Sequence, residues 1–157
     1  MSESNARDYQ IKLLQENLCS IRKIAGWSAE ILAGKIGCTR QSIHNLEHMK
    51  NPMTLMQYIT IRYMIDYEIE TSKNEVLSKV IIILLDKRDQ LNDIQYSKIM
   101  TITTAIAAAA SGGIDGTTLM LLFRNMINPI ITEAEIKLYK STVVKINIPD
   151  WFKELVK

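Results

Sequence analysis

Four side chains within the segment Thr39–Glu47 (TRQSIHNLE) carry hydrogen-bonding groups of the kind that distinguish nucleobases: Arg40, Gln41, His44 and Asn45. A guanidinium donates two parallel bonds to guanine O6 and N7, and a carboxamide both donates and accepts at adenine N6 and N7. These are the chemistries by which a helix laid in the major groove tells one base pair from another. At helical spacing residues 41 and 45 lie one turn apart, and His44 falls on the same outward arc, within reach of a base edge or a phosphate. Ser28 and Thr39 stand at helix starts, where a hydroxyl, unpaired backbone N–H groups and the positive end of the helix dipole favour a phosphate oxygen. Arg22, Lys23, Lys35 and Lys50 supply further cations for phosphate contacts, which fix register without selecting sequence.

Other constellations are weaker. His44 and His48 stand at i and i+4, a spacing able to hold a metal, with Cys38 nearby, but no carboxylate or second cysteine completes a ligand set, so no metal is expected. The glycine-rich stretch Gly112–Thr118 lacks the GK[ST] ending of a phosphate loop and follows a helical pattern rather than a strand; it reads as a helix stop and a new N-cap. No carboxylate pair, Ser-His-Asp set or Cys-His pair has a spacing that argues catalysis, and neither an enzyme nor a cofactor is expected.

The elements that must position these groups follow from periodicity and caps. Ile11, Leu14, Leu18, Ile21 and Ala25 recur at steps of three and four, predicting a helix over residues 8 to 25 that ends near Gly26. Ser28 caps a short second helix with Leu32, Ala33 and Ile36 on one face, stopped by Gly37, and Thr39 opens a third with Ile43 and Leu46 inward. Asn51-Pro52 breaks the chain, and Thr54 caps a fourth helix to about Ile69. Ser72-Lys73-Asn74-Glu75 reads as a capping box opening a fifth helix through Val76, Leu77, Val80, Ile81 and Leu84.

Beyond Asp86, Asn92 caps a long helix whose Ile99, Ile102, Ile106, Ala109 and Gly113 repeat three-four-three-four, a seam with small residues at 105, 109 and 113 that allows close helix approach in an internal core or a dimer contact, self-association being the favoured reading. Leu119, Leu122, Phe123 and Met126 mark a further helix before Asn128-Pro129. Thr132-Glu133-Ala134-Glu135 is a second capping box, with Ile131 and Ile136 as a hydrophobic staple, opening a helix to about Lys140. Val144, Ile146 and Ile148 alternate as a brief strand or extended link, and Asp150 caps a closing turn containing Trp151, Phe152 and Leu155.

The order of parts from Ile21 to Pro52, IRKIAGWSAEILAGKIGCTRQSIHNLEHMKNP, resembles the phage-repressor/Cro (Xre) helix-turn-helix family. In that family a helix ending in Ala-Gly precedes a capped second helix, a tight turn and a recognition helix. Ala33 at the helix crossing, Gly37 in the turn, and Ile43 and Leu46 inside all match, within a resemblance that runs from about Leu18 to Ile65. Two positions depart from the pattern. Where the family commonly has Gln after the second helix's cap this chain has Ala29, and its usual acidic residue two positions on is Ile31, an apolar side chain placed to meet the second half of the chain.

Composition sets the bounds. Of 157 residues, 47% are hydrophobic and 23% charged, enough to bury a core in one domain or two small units. The net charge of +2 is modest for a nucleic-acid protein. Residues 7 to 62 nonetheless hold eight Lys and Arg against four Asp and Glu, a local excess of four. Two cysteines without a CxxC pair, and no secretory leader pattern, point to a reducing cytoplasm. The longest uncharged run, Ile99 to Ile114, is 16 residues with hydroxyls and two glycines, short of the roughly 20 apolar residues that span a bilayer, so no membrane segment is expected.

The reading is an all-α protein: a five-helix lambda-repressor-like DNA-binding head over residues 8 to 70, followed by a helical C-terminal module over residues 73 to 157 that oligomerises or receives a signal. The resemblance implies a sequence-specific regulator, with repression the default, that binds a near-palindromic operator in double-stranded DNA as a homodimer through the C-terminal helices. Two other readings stay open: an antitoxin whose C-terminal module binds a toxin, and an interaction scaffold whose helix-turn-helix does not touch DNA.

Overall fold

The structure, a computed structural model, describes residues 3–142 and residue 154; the alternating segment at Val144–Ile148 and the closing turn around Trp151 lie outside them. Among the described residues every regular element is helical: α1 (Glu3–Ile24), α2 (Ala29–Ile36), α3 (Arg40–Glu47), α4 (Leu55–Ser72), α5 (Glu75–Ile81), α6 (Asp93–Ser111), α7 (Gly116–Ile127) and α8 (Glu133–Thr142). The fold is all-α, as the periodicity requires. A π-helical turn, Ile82–Asp86, and a 3-10 turn, Arg88–Gln90, link α5 to α6.

Side-chain caps set most of the boundaries. Ser28, Thr39, Thr54, Asn92 and Asp115 each accept a backbone N–H from the first turn of the helix they precede, satisfying donors that would otherwise be orphaned. Thr132 and Glu135 form the reciprocal box expected at α8, with Thr132 N donating to Glu135 Oε2 at 2.7 Å and Glu135 N donating to Thr132 Oγ1 at 3.3 Å. Ile131 and Ile136, the expected staple, are both buried.

One boundary is corrected. Ser72 is not a cap: α4 runs three residues past Ile69, and the Ser72 hydroxyl donates back to Glu68 O at 2.7 Å. Lys73 then takes a left-handed conformation, φ 56°, and Asn74 caps α5 by accepting from Leu77 N. The Asn74 amide also donates to Ile24 O at 2.9 Å, so one side chain both opens α5 and ties it to the end of α1.

A single core runs from Leu13 to Ile136, and α1 is its shared wall. α1 packs on α3, α5 and α6. Residues Val80 to Leu85 are buried on every face, which places the end of α5 and the π turn at the centre of the molecule. The expected seam on α6 is largely spent inside the chain: Ile99 and Ile106 are fully covered, Ile102 and Ala109 are half-buried, and Gly113 lies beyond the helix end. The inward face of α7 also differs from expectation, being Leu119, Phe123 and Ile127 at strict i, i+4 spacing, while Leu122 and Met126 face solvent.

Candidate nucleic-acid interface

The pair α2–α3 is assembled from local chemistry. Ser28 Oγ accepts Ile31 N at 3.1 Å, and α2 ends at Gly37, whose φ of 73° is a left-handed conformation that a residue with a Cβ adopts only with strain. Thr39 Oγ1 accepts Ser42 N at 3.1 Å and shares a 2.9 Å hydrogen bond with Ser42 Oγ. Leu32 and Ala33 on α2, and Ile43 and Leu46 on α3, are buried, which fixes which arc of α3 turns outward.

Two buried polar devices hold α3 and the link after it. The Arg22 guanidinium makes a two-pronged ion pair with Glu47, including Nη2 to Oε2 at 3.2 Å, and Nη1 donates to Trp27 O at 2.8 Å. These side chains are only 11% and 7% exposed, so α1, the α1–α2 turn and the end of α3 are clamped in one place. Gln15 is buried and saturated: Nε2 donates to Leu46 O at 3.0 Å and to Asn51 O at 2.7 Å, while Oε1 accepts Met53 N at 2.9 Å.

The outward arc presents the predicted base-reading set together. Arg40, Gln41 and His44 are exposed and Asn45 is half-exposed. Gln41 Nε2 donates to Asn45 Oδ1 at 3.0 Å, so the two carboxamides form a unit that leaves Gln41 Oε1 and the Asn45 amide directed elsewhere. Arg40 Nη1 lies 3.6 Å from Glu30 Oε1 on α2, with both side chains largely in solvent. The His44 and His48 rings stack with centroids 4.0 Å apart, and His48 Nδ1, at 2.9 Å from the His44 carbonyl, donates to it. His48 chiefly, then desolvation and the Lys50 and Arg40 cations, hold the His44 imidazole below its ordinary pKa, while Glu47 opposes them.

The predicted phosphate-contacting residues divide. Ser28, Thr39 and Lys50 are exposed beside α2 and α3, and Lys23 is half-buried near the end of α1. Lys35 lies over the Trp27 ring with its ammonium 5.3 Å from the centroid. Arg22 is not with them, because its guanidinium is committed to Glu47 and Trp27. Ile31 is 47% exposed, and Ala29 packs partly against the core.

Gln15, Trp27 and Glu47 are the positioning residues that sequence reasoning passed over. The signals were present: Gln15 interrupts the apolar stripe of the first helix, and Glu47 sits at a helix C-terminus, where the dipole disfavours a carboxylate unless a cation holds it. Comparisons with protein-family models, curated proteins and solved structures return no match.

Proposed function

We propose that the chain is a sequence-specific regulator of transcription that reads double-stranded DNA with α3. The observation that carries this reading is the outward arc of α3, where Arg40, the Gln41–Asn45 pair and His44 stand together on a short helix clamped from behind by the Arg22–Glu47 pair. Arg40 would read guanine, and the coupled carboxamides would read adenine. The N-termini of α2 and α3 would take flanking phosphates, with Lys35 and Lys50 adding charge. The surface pair of Arg40 with Glu30 does not oppose this, since exposed ion pairs are worth only ~0–1 kcal/mol and are readily exchanged for a base. Binding a near-palindromic operator as a dimer, and repressing by excluding polymerase, complete the proposal.

Selection from a random duplex pool tests the reading. The expected result is one enriched half-site whose binding weakens with salt, and Gln41→Ala should cost about 1–3 kcal/mol on that site while barely changing affinity for random duplex. Equal affinity for all duplexes, before and after the substitution, would sink it.

A further inference from the structure

We infer that Glu30 is the positioning residue for Arg40, holding the guanidinium by one end so that it reads a base and does not settle on phosphates, a role that rests on the DNA-binding reading proposed for α3. Between Ser28 and Lys50 the chain has two carboxylates, Glu30 and Glu47. Glu47 is buried against Arg22 and takes no part at the surface. The Glu30 side chain is 72% exposed, and it joins the first turn of α2 to the first residue of α3. These are the two helix starts proposed to hold phosphates, where an exposed anion opposes a polyanion. A first-turn carboxylate complements the helix dipole from any face of the helix. The dipole therefore accounts for the charge of Glu30 and not for its direction, with Oε1 3.6 Å from Arg40 Nη1 on the neighbouring helix.

The pairing is selective. Among the described residues Lys23, Lys35 and Lys50, the lysines proposed to meet phosphates, have no carboxylate within ion-pair distance. Arg40, the cation proposed to read a base, has one. Arginine carries five N–H groups in a planar fork. Glu30 meets the Nη1 end, which leaves the Nε–Nη2 edge to present two parallel donors, the pattern that guanine O6 and N7 accept. Reading guanine need not break the pair. A phosphate is held differently, mostly by charge and from many directions. With its charge partly matched and its edge turned one way, Arg40 loses attraction for phosphates and keeps the base contact. Selectivity is a difference of two affinities, and weakening the unwanted one raises it.

The test uses the full chain and the site enriched from a random duplex pool, with anisotropy titrations from about 50 to 200 mM salt. The base pair belonging to Arg40 is the one at which Arg40→Ala loses preference. Glu30→Gln should bind random duplex about three- to fivefold tighter, with a log–log salt slope steeper by about 1, as Arg40 gains a phosphate. It should bind the enriched site nearly as the wild type does and tolerate replacement of the Arg40 base pair about three- to fivefold better. In the Arg40→Ala background the same substitution should leave the ratio of enriched to random affinity unchanged, because Glu30 acts through Arg40. Equal tightening of both duplexes would make Glu30 a repelling charge alone and overturn the inference. Equal weakening would make it a helix-start residue alone, with the same result. A wild-type chain that prefers no site removes the DNA-binding reading itself; a selective wild type whose Glu30→Gln variant keeps the full preference removes this inference alone.

Discussion

At the scale of single residues, the helix that presents the proposed base-reading groups depends on side chains that are largely buried. Removing one partner of a buried ion pair leaves the other charge desolvated, at about 3–5 kcal/mol, more than the pair itself contributes. Glu47→Gln is therefore expected to cost roughly that much, and Arg22→Met with Glu47→Leu to recover most of it, in urea unfolding of each variant; an unchanged midpoint in Glu47→Gln would show that the clamp carries no weight. His44 responds to pH in a definite direction. Its imidazole is held below the ordinary range in the free protein, chiefly by His48, and a phosphate backbone laid along α3 would raise it. A group that holds its proton more tightly in the complex tightens the complex as pH falls. DNA affinity should then increase from about pH 8 downward through the imidazole range and level off below the free-protein value. Fluorescence anisotropy across that range should show a clearly shallower slope for His44→Gln; identical slopes would exclude a role for His44.

At the scale of elements, what was legible in the sequence was local. A cap is decided within four residues, so Ser28, Thr39, Thr54, Asn92 and Thr132 could be identified from residue type alone. Ser72 misled because two capping residues, Ser72 and Asn74, compete within three positions, and the choice rests with Ile24 O, fifty residues earlier in the chain, which Asn74 reaches and Ser72 does not. Faces were less legible than boundaries. α7 carries leucine, methionine and phenylalanine around much of its circumference, and only the position of α5 and α6 selects Leu119, Phe123 and Ile127 as the inner set. The candidate site divides the same way: the outward groups of α3 were readable, whereas the pairing of Arg22 with Glu47 across 25 residues was not. One element has a testable dependence of this long-range kind. α8 is held by Glu133, which reaches the buried Lys79 on α5 at 3.3 Å as well as Arg124 on α7. Glu133→Ala strands the Lys79 ammonium, and because Glu133 is itself partly exposed the cost should be about 2 kcal/mol, between the surface and buried limits. Faster amide exchange in α8, restored by adding Lys79→Met, is the expected signature; unaltered exchange would mean that Ile131 and Ile136 alone secure the helix.

At the scale of the whole molecule, the question is whether the portion proposed to read DNA stands alone. The sequence divides readily at residue 72, because the resemblance to a known head stops before it and the pattern changes beyond Asp86. The packing is not divided there. α1 meets α3, α5 and α6, Asn17 donates to the Tyr96 hydroxyl at 3.0 Å, and Arg62 on α4 pairs with Asp86 at 2.9 Å. Cutting after residue 72 would expose the α1 side chains that α5 and α6 cover and would leave Asn17 and Arg62 without these partners. At ~1.5–3 kcal/mol for each large apolar side chain returned to water, the loss of two or three such contacts removes most of the ~5–15 kcal/mol by which a domain of this size is stable. The full chain should accordingly unfold in one cooperative transition, with circular dichroism and the fluorescence of the buried Trp27 coincident, while a fragment of residues 1–72 should lack a cooperative melt. A sharp, reversible transition in that fragment would make the head an independent domain, and the long α1–α6 contact a docking surface between two units.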